Sequence, residues 1–181
     1  MGADAAHPDP ERVQQLLDRQ DILDCLNRYC RGVDRLDEQL LRSAYHPDAI
    51  DNHGIHCGTV DEFIEWAFAG HRRSQYGHQH YIMNHSCELA GDVAHTETYM
   101  MMVGRNISGT PVTLHGGRYV DRFERRDGRW AIAYRASLVE WTGGVSEPDL
   151  PPVVRVQPGA ISRDQSDISY ERPLVFDGAA R

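Results

Sequence analysis

Apolar residues between positions 11 and 33 recur at steps of three and four, which is the spacing of one face of an α-helix. This pattern predicts a first helix over residues 11–33 that ends at Gly32, since glycine commonly closes a helix. A second, shorter helix is predicted over residues 36–45. It ends there because Pro47 disfavours helical geometry in the residue before it.

The next apolar pattern, AIDNHGIHCG, predicts a short strand and a turn, and residues 59–74 return to helical spacing with Thr59 as the N-cap. Beyond Gly77, long stretches rich in β-branched and aromatic residues predict antiparallel strands in a meander. Asp127 and Gly128 give the best hairpin signal, because both adopt positive φ readily. Helices followed by strands predict an α+β fold, with a curved mixed or antiparallel sheet wrapped around the N-terminal helices.

Composition divides the chain into three parts. Residues 1–10 contain two prolines and three alanines and predict a flexible N-terminal arm. Residues 11–142 form the folded domain. Residues 143–181 contain five prolines, which cannot continue the interior of a sheet. They predict a C-terminal extension that either packs along a surface, of this subunit or of a neighbour, or stays disordered.

The charge balance limits the partners. Lys and Arg total 19 against 27 Asp and Glu, a net charge of -8, which repels nucleic acid and anionic membranes alike. No stretch approaches the roughly 20 apolar residues that a membrane span needs. The four cysteines contain no CxxC pair, and the N-terminus lacks the pattern of a secretory signal. These features predict a protein of the reducing cytoplasm that binds neither nucleic acid nor membrane.

Ten histidines make metal binding a hypothesis to weigh. His53 and His56 lie three residues apart, and His78, His80 and His85 lie close together in sequence. The two-residue period of a strand places His78 and His80 on one face and His85 on the other, whereas zinc needs three or four ligands at one compact site. The sequence therefore predicts no metal site.

Acid–base chemistry is the metal-free alternative. Histidine is the usual proton carrier near neutral pH, and a carboxylate commonly orients its ring. Asp34, at the end of the first helix, is a candidate for that carboxylate. The simpler interpretation is that Asp34 caps the following helix, and that any histidine facing it is a hydrogen-bonded core residue.

Four segments carry a resemblance to a known family. Together with the order of the elements, they resemble the SnoaL-like branch of the nuclear-transport-factor-2-like superfamily, which includes relatives of scytalone dehydratase, lindane dehydrochlorinase and bile-acid 7α-dehydratase. The resemblance covers about residues 11–142. It implies a cone-shaped α+β barrel with an apolar pocket and a His–Asp dyad that needs no cofactor. The segments are YCRGVDRLDEQ, AYHPDAIDNHG, QHYIMNHSCEL and DRFERRDGRWAIAYRAS.

The resemblance implies roles for individual residues. It places the dyad at Asp34 and His80, a proton-donating tyrosine at Tyr29 and a charge-stabilising arginine at Arg135. From the residues alone, Tyr29 belongs to a helix face that is buried in any case, and Arg135 can equally pair across strands with Glu97 or Asp121. Further substrate contacts are expected at His53, Asn52, Trp66, Tyr99, Met101 and Tyr119.

The function expected from this resemblance is a cofactor-independent lyase, a dehydratase of a cyclic or polycyclic hydroxy-ketone such as a steroid or polyketide. Tyr29 replaces the lysine of the dehydrochlorinase, which argues against a halide leaving group. The same dyad also suits an isomerase or a cyclase, and the fold also serves as a small-molecule-binding module without chemistry. The resemblance further implies a homo-oligomer, a dimer or trimer packed through the sheet.

Overall fold

The computed structural model describes residues 9–146 and 159–175. Three helices precede or interrupt the first strands, and four long strands follow them. A 3₁₀ helix, Ile168–Tyr170, lies in the C-terminal segment. The elements are α1 Pro10–Asp34, α2 Glu38–Arg42, β1 Tyr45–Asn52, β2 Cys57–Thr59, α3 Val60–Ser74, β3 Gln75–Ala90, β4 Val93–Asn106, β5 Gly109–Arg126 and β6 Arg129–Val145.

The strands form one curved, unclosed sheet of six strands in the order β2-β1-β6-β5-β4-β3. All neighbouring strands are antiparallel except β1 and β6, which are parallel. The sheet is therefore mixed, and the expected α+β architecture is confirmed. β1 joins β6 because the long meander β3 to β6 leaves that edge free for the earlier chain.

One face of the sheet packs on α1 and α3 and is called the inner face here. On β4 its members are Ala94, Thr96, Thr98 and Met100, all buried, whereas Tyr99 between them is exposed. Their alternation is the two-residue period of a strand with one face in the core. The outer face of the sheet carries the residues between them.

An irregularity in β3 changes the face of one histidine. The register with β4 shifts between Ile82 and His85, so His85 lies opposite the buried Thr98 and its Nδ1 is 2.8 Å from the Thr98 Oγ1. The expectation that His85 faces away from His80 is therefore wrong. An extra residue in a strand shifts the alternation of faces by one position. His85 therefore faces inward together with His80, although the two residues are an odd number of positions apart.

The helices follow their predicted patterns with two corrections. α1 confirms the predicted first helix, but Gly32 lies inside it, and an added Cβ there would come within 2.6 Å of the Leu41 backbone. Gly32 thus allows α2 to approach α1 closely. α2 is shorter than predicted, because Tyr45 already belongs to β1 and pairs with Ile132 of β6.

The local turn and cap signals are confirmed. Thr59 forms a capping box with Glu62 at the start of α3. Asp127 and Gly128 have φ angles of 51° and 75°, as a tight hairpin with the right-handed strand twist requires.

The terminal predictions fall partly outside the described residues, since the structure does not describe residues 1–8, 147–158 and 176–181. Within the described extension, residues 159–175 pack on the end of α1 and on the turn between α1 and α2, and the Arg31 guanidinium lies 4.6 Å from the centre of the Tyr170 ring. The Tyr170 hydroxyl donates to Asp37 Oδ2 at 2.8 Å, and Arg35 lies 3.6 Å from Asp167. No helix among the described residues is long and apolar enough to span a bilayer.

Candidate active site

The end of α1 and the start of β3 bring a carboxylate and an imidazole together. Asp34 is the last residue of α1, and His80 lies on the inner face of β3, opposite Met102. The His80 Nδ1 is 2.7 Å from the Asp34 Oδ1. The backbone N–H of His80 also donates to both carboxylate oxygens of Asp34, at 3.0 and 3.1 Å. The backbone and the side chain of His80 thus both hold the Asp34 carboxylate.

This geometry fixes the tautomer of His80. An ionised carboxylate only accepts hydrogen bonds, so the Nδ1 of His80 carries the proton and Nε2 keeps its lone pair. The side chains are 9% and 13% exposed for His80 and Asp34, respectively, so both are largely buried. The arrangement can accept a proton at Nε2 while Asp34 stabilises the resulting imidazolium.

Two further histidines pack beside the dyad. The His78 Nε2 donates to the Val33 carbonyl at 3.0 Å, and the ring of His71 stacks on the ring of His78 with 3.8 Å between centroids. Burial lowers the pKa of His71 to about 4 and that of His78 to about 3. Both rings are therefore neutral near neutral pH. Their stacking links α3 to β3, and the hydrogen bond from His78 links β3 to the end of α1.

Asp34, His78 and His80 offer three possible metal-ligand atoms within 4.8 Å of one another. The geometry of His78 does not fit this use. Its Nε2, which is the atom that lies 3.9 Å from the Asp34 Oδ1, donates its proton to the Val33 carbonyl, a group that only accepts. Two ligand atoms remain, fewer than a structural or catalytic zinc site has. The metal-free site stays a prediction.

Arg135 and Tyr29 belong to a second, deeper cluster. The Arg135 guanidinium donates to both oxygens of Asp121 at 2.8 and 2.7 Å, and both side chains are fully buried. It lies 4.0 Å from the ring centroids of Tyr29 and Tyr119. Of the two cross-strand partners weighed for Arg135, Asp121 is the correct one. Burial raises the pKa of Tyr29 well above its ordinary value.

This cluster has unused hydrogen-bonding capacity. The Nη1 of Arg135 and the Oγ of Ser137 are buried without a hydrogen-bond partner. They belong to alternate residues of β6, opposite Asp121 and Tyr119 on the inner face. Buried polar groups are normally paired, so these two atoms are candidates for contacts with a ligand or with water. Its two-residue spacing from Arg135 is the one sequence signal that points to Ser137.

His53 is held by a carboxylate of its own. Its Nδ1 contacts the Oδ1 of Asp51, whose Oδ2 accepts from the Tyr45 hydroxyl at 2.6 Å, and Asp51 is completely buried. The His53 ring stacks on Phe63 at 4.9 Å and lies 5.6 Å from Trp66. The structure therefore groups the expected residues His53 and Trp66. Asp51 was missed, although its spacing of two from His53 was a usable signal.

Three of the expected substrate contacts point elsewhere. Asn52 follows the inward Asp51 and turns to the outer face, where its Nδ2 is 3.4 Å from the Tyr134 hydroxyl. Tyr99 is 44% exposed on the outer face, and Met101 lies on the same face opposite the exposed Tyr81. The expectation that these three residues line the site is corrected. Tyr119, by contrast, lies on the inner face as expected.

Comparisons with known proteins address the family and the fold. A model of the SnoaL-like domain family matches residues 14–136. No curated protein sequence matches the chain.

Among solved structures, the chain is similar to a type 2 hexachlorocyclohexane dehydrochlorinase, with a TM-score of 0.70, 22% identity and coverage of 78% of this chain and 97% of the other. It is also similar to a scytalone dehydratase-like protein from Novosphingobium aromaticivorans, with a TM-score of 0.66, 17% identity and coverage of 79% and 97%. A third similar structure is a protein of unknown function from Mycobacterium tuberculosis, with a TM-score of 0.65, 23% identity and coverage of 75% and 78%. At these identities the likeness shows the fold.

Proposed function

Because this chain belongs to the SnoaL-like domain family, we propose that it is a cofactor-independent lyase, a dehydratase that acts on a cyclic or polycyclic hydroxy-ketone such as a steroid or polyketide. The observation that carries the proposal is the 2.7 Å contact between His80 Nδ1 and Asp34 Oδ1, on the inner face of the sheet. Solved relatives of similar fold include a dehydrochlorinase and a dehydratase-like protein, both associated with elimination.

The proposed reaction begins at His80. Its Nε2 removes a proton from the carbon next to the substrate carbonyl, and the electron pair of the broken C–H bond passes into an enolate. Asp34 stabilises the imidazolium that forms, because its carboxylate already faces the Nδ1 proton. The enolate then expels hydroxide from the β-carbon, and the proton on His80 returns to the departing oxygen to give water.

Arg135 is the group proposed to stabilise the developing negative charge. Two of its nitrogens are held by Asp121, so Nη1 is the donor that remains for a substrate oxygen. The guanidinium stays protonated throughout and acts in a buried environment, where electrostatic stabilisation is strongest. Tyr29, in contact with Arg135, is proposed as a second donor.

The test is turnover of a panel of hydroxy-steroids and polyketide-like hydroxy-ketones, with loss of one water detected by mass spectrometry. His80→Gln and Asp34→Asn are each expected to lower kcat/KM by about 10²-fold or more, which is the usual contribution of a positioned base. His95→Gln is the matched control, since His95 is exposed on the outer face of β4. Unchanged circular dichroism would show that the variants fold.

Other outcomes lead to other functions. A product of unchanged mass, dependent on both residues, would identify an isomerase or cyclase that uses the same dyad. Full activity of either variant would contradict the dyad assignment. Ligand binding without turnover, unaffected by Asp34→Asn, would indicate a binding module.

A further inference from the structure

A second His–Asp pair lies beside the start of α3. The Nδ1 of His53 contacts the Oδ1 of Asp51, and the Asp51 Oδ2 accepts a hydrogen bond from the Tyr45 hydroxyl at 2.6 Å. The Asp51 side chain is completely buried, whereas the His53 side chain is 19% exposed. The pair thus combines a buried carboxylate with an imidazole that a ligand can reach. The reaction proposed above gives neither residue a role.

The burial of Asp51 determines what its partner has to supply. A carboxylate without contact to water is stable in its charged form only when hydrogen bonds and a positive charge compensate it. Arg135 pairs with Asp51 in the register of β1 and β6, but its guanidinium donates to both oxygens of Asp121. The imidazolium form of His53 supplies a positive charge directly at the Asp51 Oδ1.

The dyad of Asp34 and His80 has a different environment. Asp34 is 13% exposed, and both of its oxygens accept the backbone N–H of His80 in addition to the ring contact. Its charge is therefore compensated without a proton on the His80 Nε2. Two similar pairs in unlike environments can take opposite roles in proton transfer. By this argument His80 is the base, and His53 is an acid.

Helix α3 contacts both imidazoles at different points along its length. The His53 ring stacks on Phe63 with 4.9 Å between centroids, and the His80 ring lies perpendicular to that of His71 with 6.0 Å between centroids. Phe63 and His71 are eight residues apart on α3, which is a rise of about 12 Å. His53 is therefore placed to contact a different substrate atom from the one that His80 contacts.

Packing in the interior connects the second pair to the other groups of the site. Phe63 stacks on Tyr29 at 6.2 Å, and the Arg135 guanidinium lies 4.0 Å from the Tyr29 ring centroid. Burial raises the pKa of the Cys30 thiol, and the charges of Arg135 and Asp34 both act on that thiol. Cys30 precedes Asp34 by one helical turn. The second pair, the arginine cluster and the dyad thus adjoin one another between the helices and the sheet.

We propose that His53 is a further catalytic residue, which donates the proton on its Nε2 to the carbonyl oxygen of the substrate while Asp51 holds its ring. This inference rests on the proposed function. It assigns the two ends of one enolisation to two histidines, with the base at the carbon and the acid at the oxygen.

The step balances as follows. His80 removes the proton from the carbon next to the carbonyl, and the C–H electron pair becomes a C=C bond. The carbonyl π pair moves onto the oxygen, which takes the Nε2 proton of His53. An enol, a neutral His53 and a His80 imidazolium result. In the elimination the enol proton returns to His53, the C–O bond to the leaving group breaks, and the departing oxygen takes the proton from His80.

The first experiment uses the full chain without a substrate. Long-range ¹H–¹⁵N spectra of protein labelled at histidine report which ring nitrogens carry protons, and signals missing from His53→Gln assign the His53 ring. At pH 7 we expect protons on both nitrogens of His53 and on Nδ1 alone of His80. A neutral His53, whose single proton faces Asp51, would overturn the proposal because it has no Nε2 proton to give.

The second experiment measures enolisation alone. A cyclic ketone without a leaving hydroxyl exchanges hydrogen for deuterium from D₂O at the carbon next to the carbonyl, and mass spectrometry follows the exchange. His53→Gln is expected to lower kcat for exchange by about 10²-fold with little change in KM. His95→Gln, at an exposed position of β4, is the matched control. Asp51→Asn should act in the same direction, and it is compared only if circular dichroism shows a folded protein, since Asp51 is buried.

The outcomes separate this proposal from the proposed function. Unchanged exchange in His53→Gln, together with its loss in His80→Gln, would overturn the role of His53 and leave the dyad intact. A raised KM with unchanged kcat would show that His53 binds the ketone without transferring a proton, which also overturns the proposal.

Neither exchange nor dehydration of any ketone by the unaltered chain would refute the proposed function instead. The dissociation constant of 2-naphthol, an aromatic enol, then tests the second pair separately. Binding weakened about tenfold in His53→Gln but not in His95→Gln would support an oxygen contact at His53, as expected from the loss of one charged hydrogen bond. Equal binding in both variants would refute it.

Discussion

Asp34 receives hydrogen bonds from the backbone and the side chain of the same residue, His80. The backbone donor fixes the carboxylate to the strand, so rotation of the imidazole alone cannot release it. This double attachment explains how a helix end and a strand hold the two members of the dyad together. It also means that Asp34→Asn should keep the backbone contact and lose the stabilisation of the imidazolium.

Arg135 and Asp121 form a fully buried ion pair, and removing one partner leaves an uncompensated buried charge. Arg135→Met is therefore expected to lower the free energy of unfolding by about 3–5 kcal/mol. Arg135→Met combined with Asp121→Leu should regain most of this loss, because no buried charge remains. The measurement is urea unfolding at neutral pH.

A surface ion pair serves as the control for this prediction. Arg122 contacts Glu124 but is 46% exposed, so Arg122→Met should change stability by less than about 1 kcal/mol. If Arg135→Met were no more destabilising than Arg122→Met, the buried pair would contribute little to folding. The buried pair would then act in binding and not in folding.

Among the elements, the C-terminal end of α1 is the one that positions the site. It carries Asp34, its Val33 carbonyl accepts from His78, and its last turn packs on α2 through Gly32. Residues 159–175 add contacts from the other side, through Tyr170 and Asp37. The carboxylate of the dyad is thus fixed by three separate elements.

Gly32 and Gly70 allow a matched test of this packing, since both lie within helices. A Cβ at Gly32 would come within 2.6 Å of Leu41 backbone atoms, whereas one at Gly70 meets nothing within 4 Å. Gly32→Ala should lower the free energy of unfolding by about 1–3 kcal/mol, as overpacking does. Gly70→Ala should raise it by up to about 1 kcal/mol, the difference in helix propensity. Urea unfolding measures both, and a stabilising Gly32→Ala would contradict the close packing of α1 and α2.

The stacked pair of His71 and His78 predicts a loss of stability in acid. Burial lowers the pKa of His71 to about 4 and that of His78 to about 3, against 6.5 in an exposed imidazole. Below pH 6.5 the unfolded chain therefore binds protons that the folded chain does not, and stability falls as the pH drops toward those lower values. Each ring contributes up to about 1.4 kcal/mol per pH unit.

The measurement is the free energy of unfolding between pH 7 and pH 4.5. His71→Gln should reduce the dependence of the unfolding free energy on pH over this interval, because about one proton fewer is bound on unfolding. His95→Gln, at an exposed position, should leave the slope unchanged. An equal slope in His71→Gln and in the unaltered chain would show that His71 is protonated in the folded state.

At the scale of the whole molecule, periodicity predicted which segments are helix and strand, and the resemblance predicted the meeting of Asp34 and His80. Periodicity did not predict which face of a strand is inward, so Tyr99 and Met101 were placed on the wrong side. It also could not anticipate the irregularity that returns His85 to the inner face, because a bulge depends on the partner strand. The pairing of Arg135 with Asp121, and not with Glu97, is likewise a tertiary fact, set by the register of β5 and β6.

The outer face of the sheet predicts the assembly of the molecule. Tyr81, Tyr99 and Leu138 are 44%, 44% and 41% exposed on three different strands of this face. On this surface Arg118 of β5 lies between Tyr99 and Leu138, and aromatic residues and arginine are both enriched at protein interfaces. We expect a second copy of the chain to cover it, in a dimer or trimer, because identical subunits most often assemble through one shared surface with closed symmetry.

Light scattering after size-exclusion chromatography tests this expectation. The unaltered chain should have a mass two or three times that of the 20.5 kDa subunit. Tyr99→Glu with Leu138→Glu should reduce it to one subunit, because a buried unpaired carboxylate opposes association. Ile55→Glu, at a 90% exposed position in the β1–β2 loop, should leave the mass unchanged. A monomeric unaltered chain would contradict this expectation. The outer face would then be exposed to solvent, and the dyad on the inner face would be assembled by a single subunit.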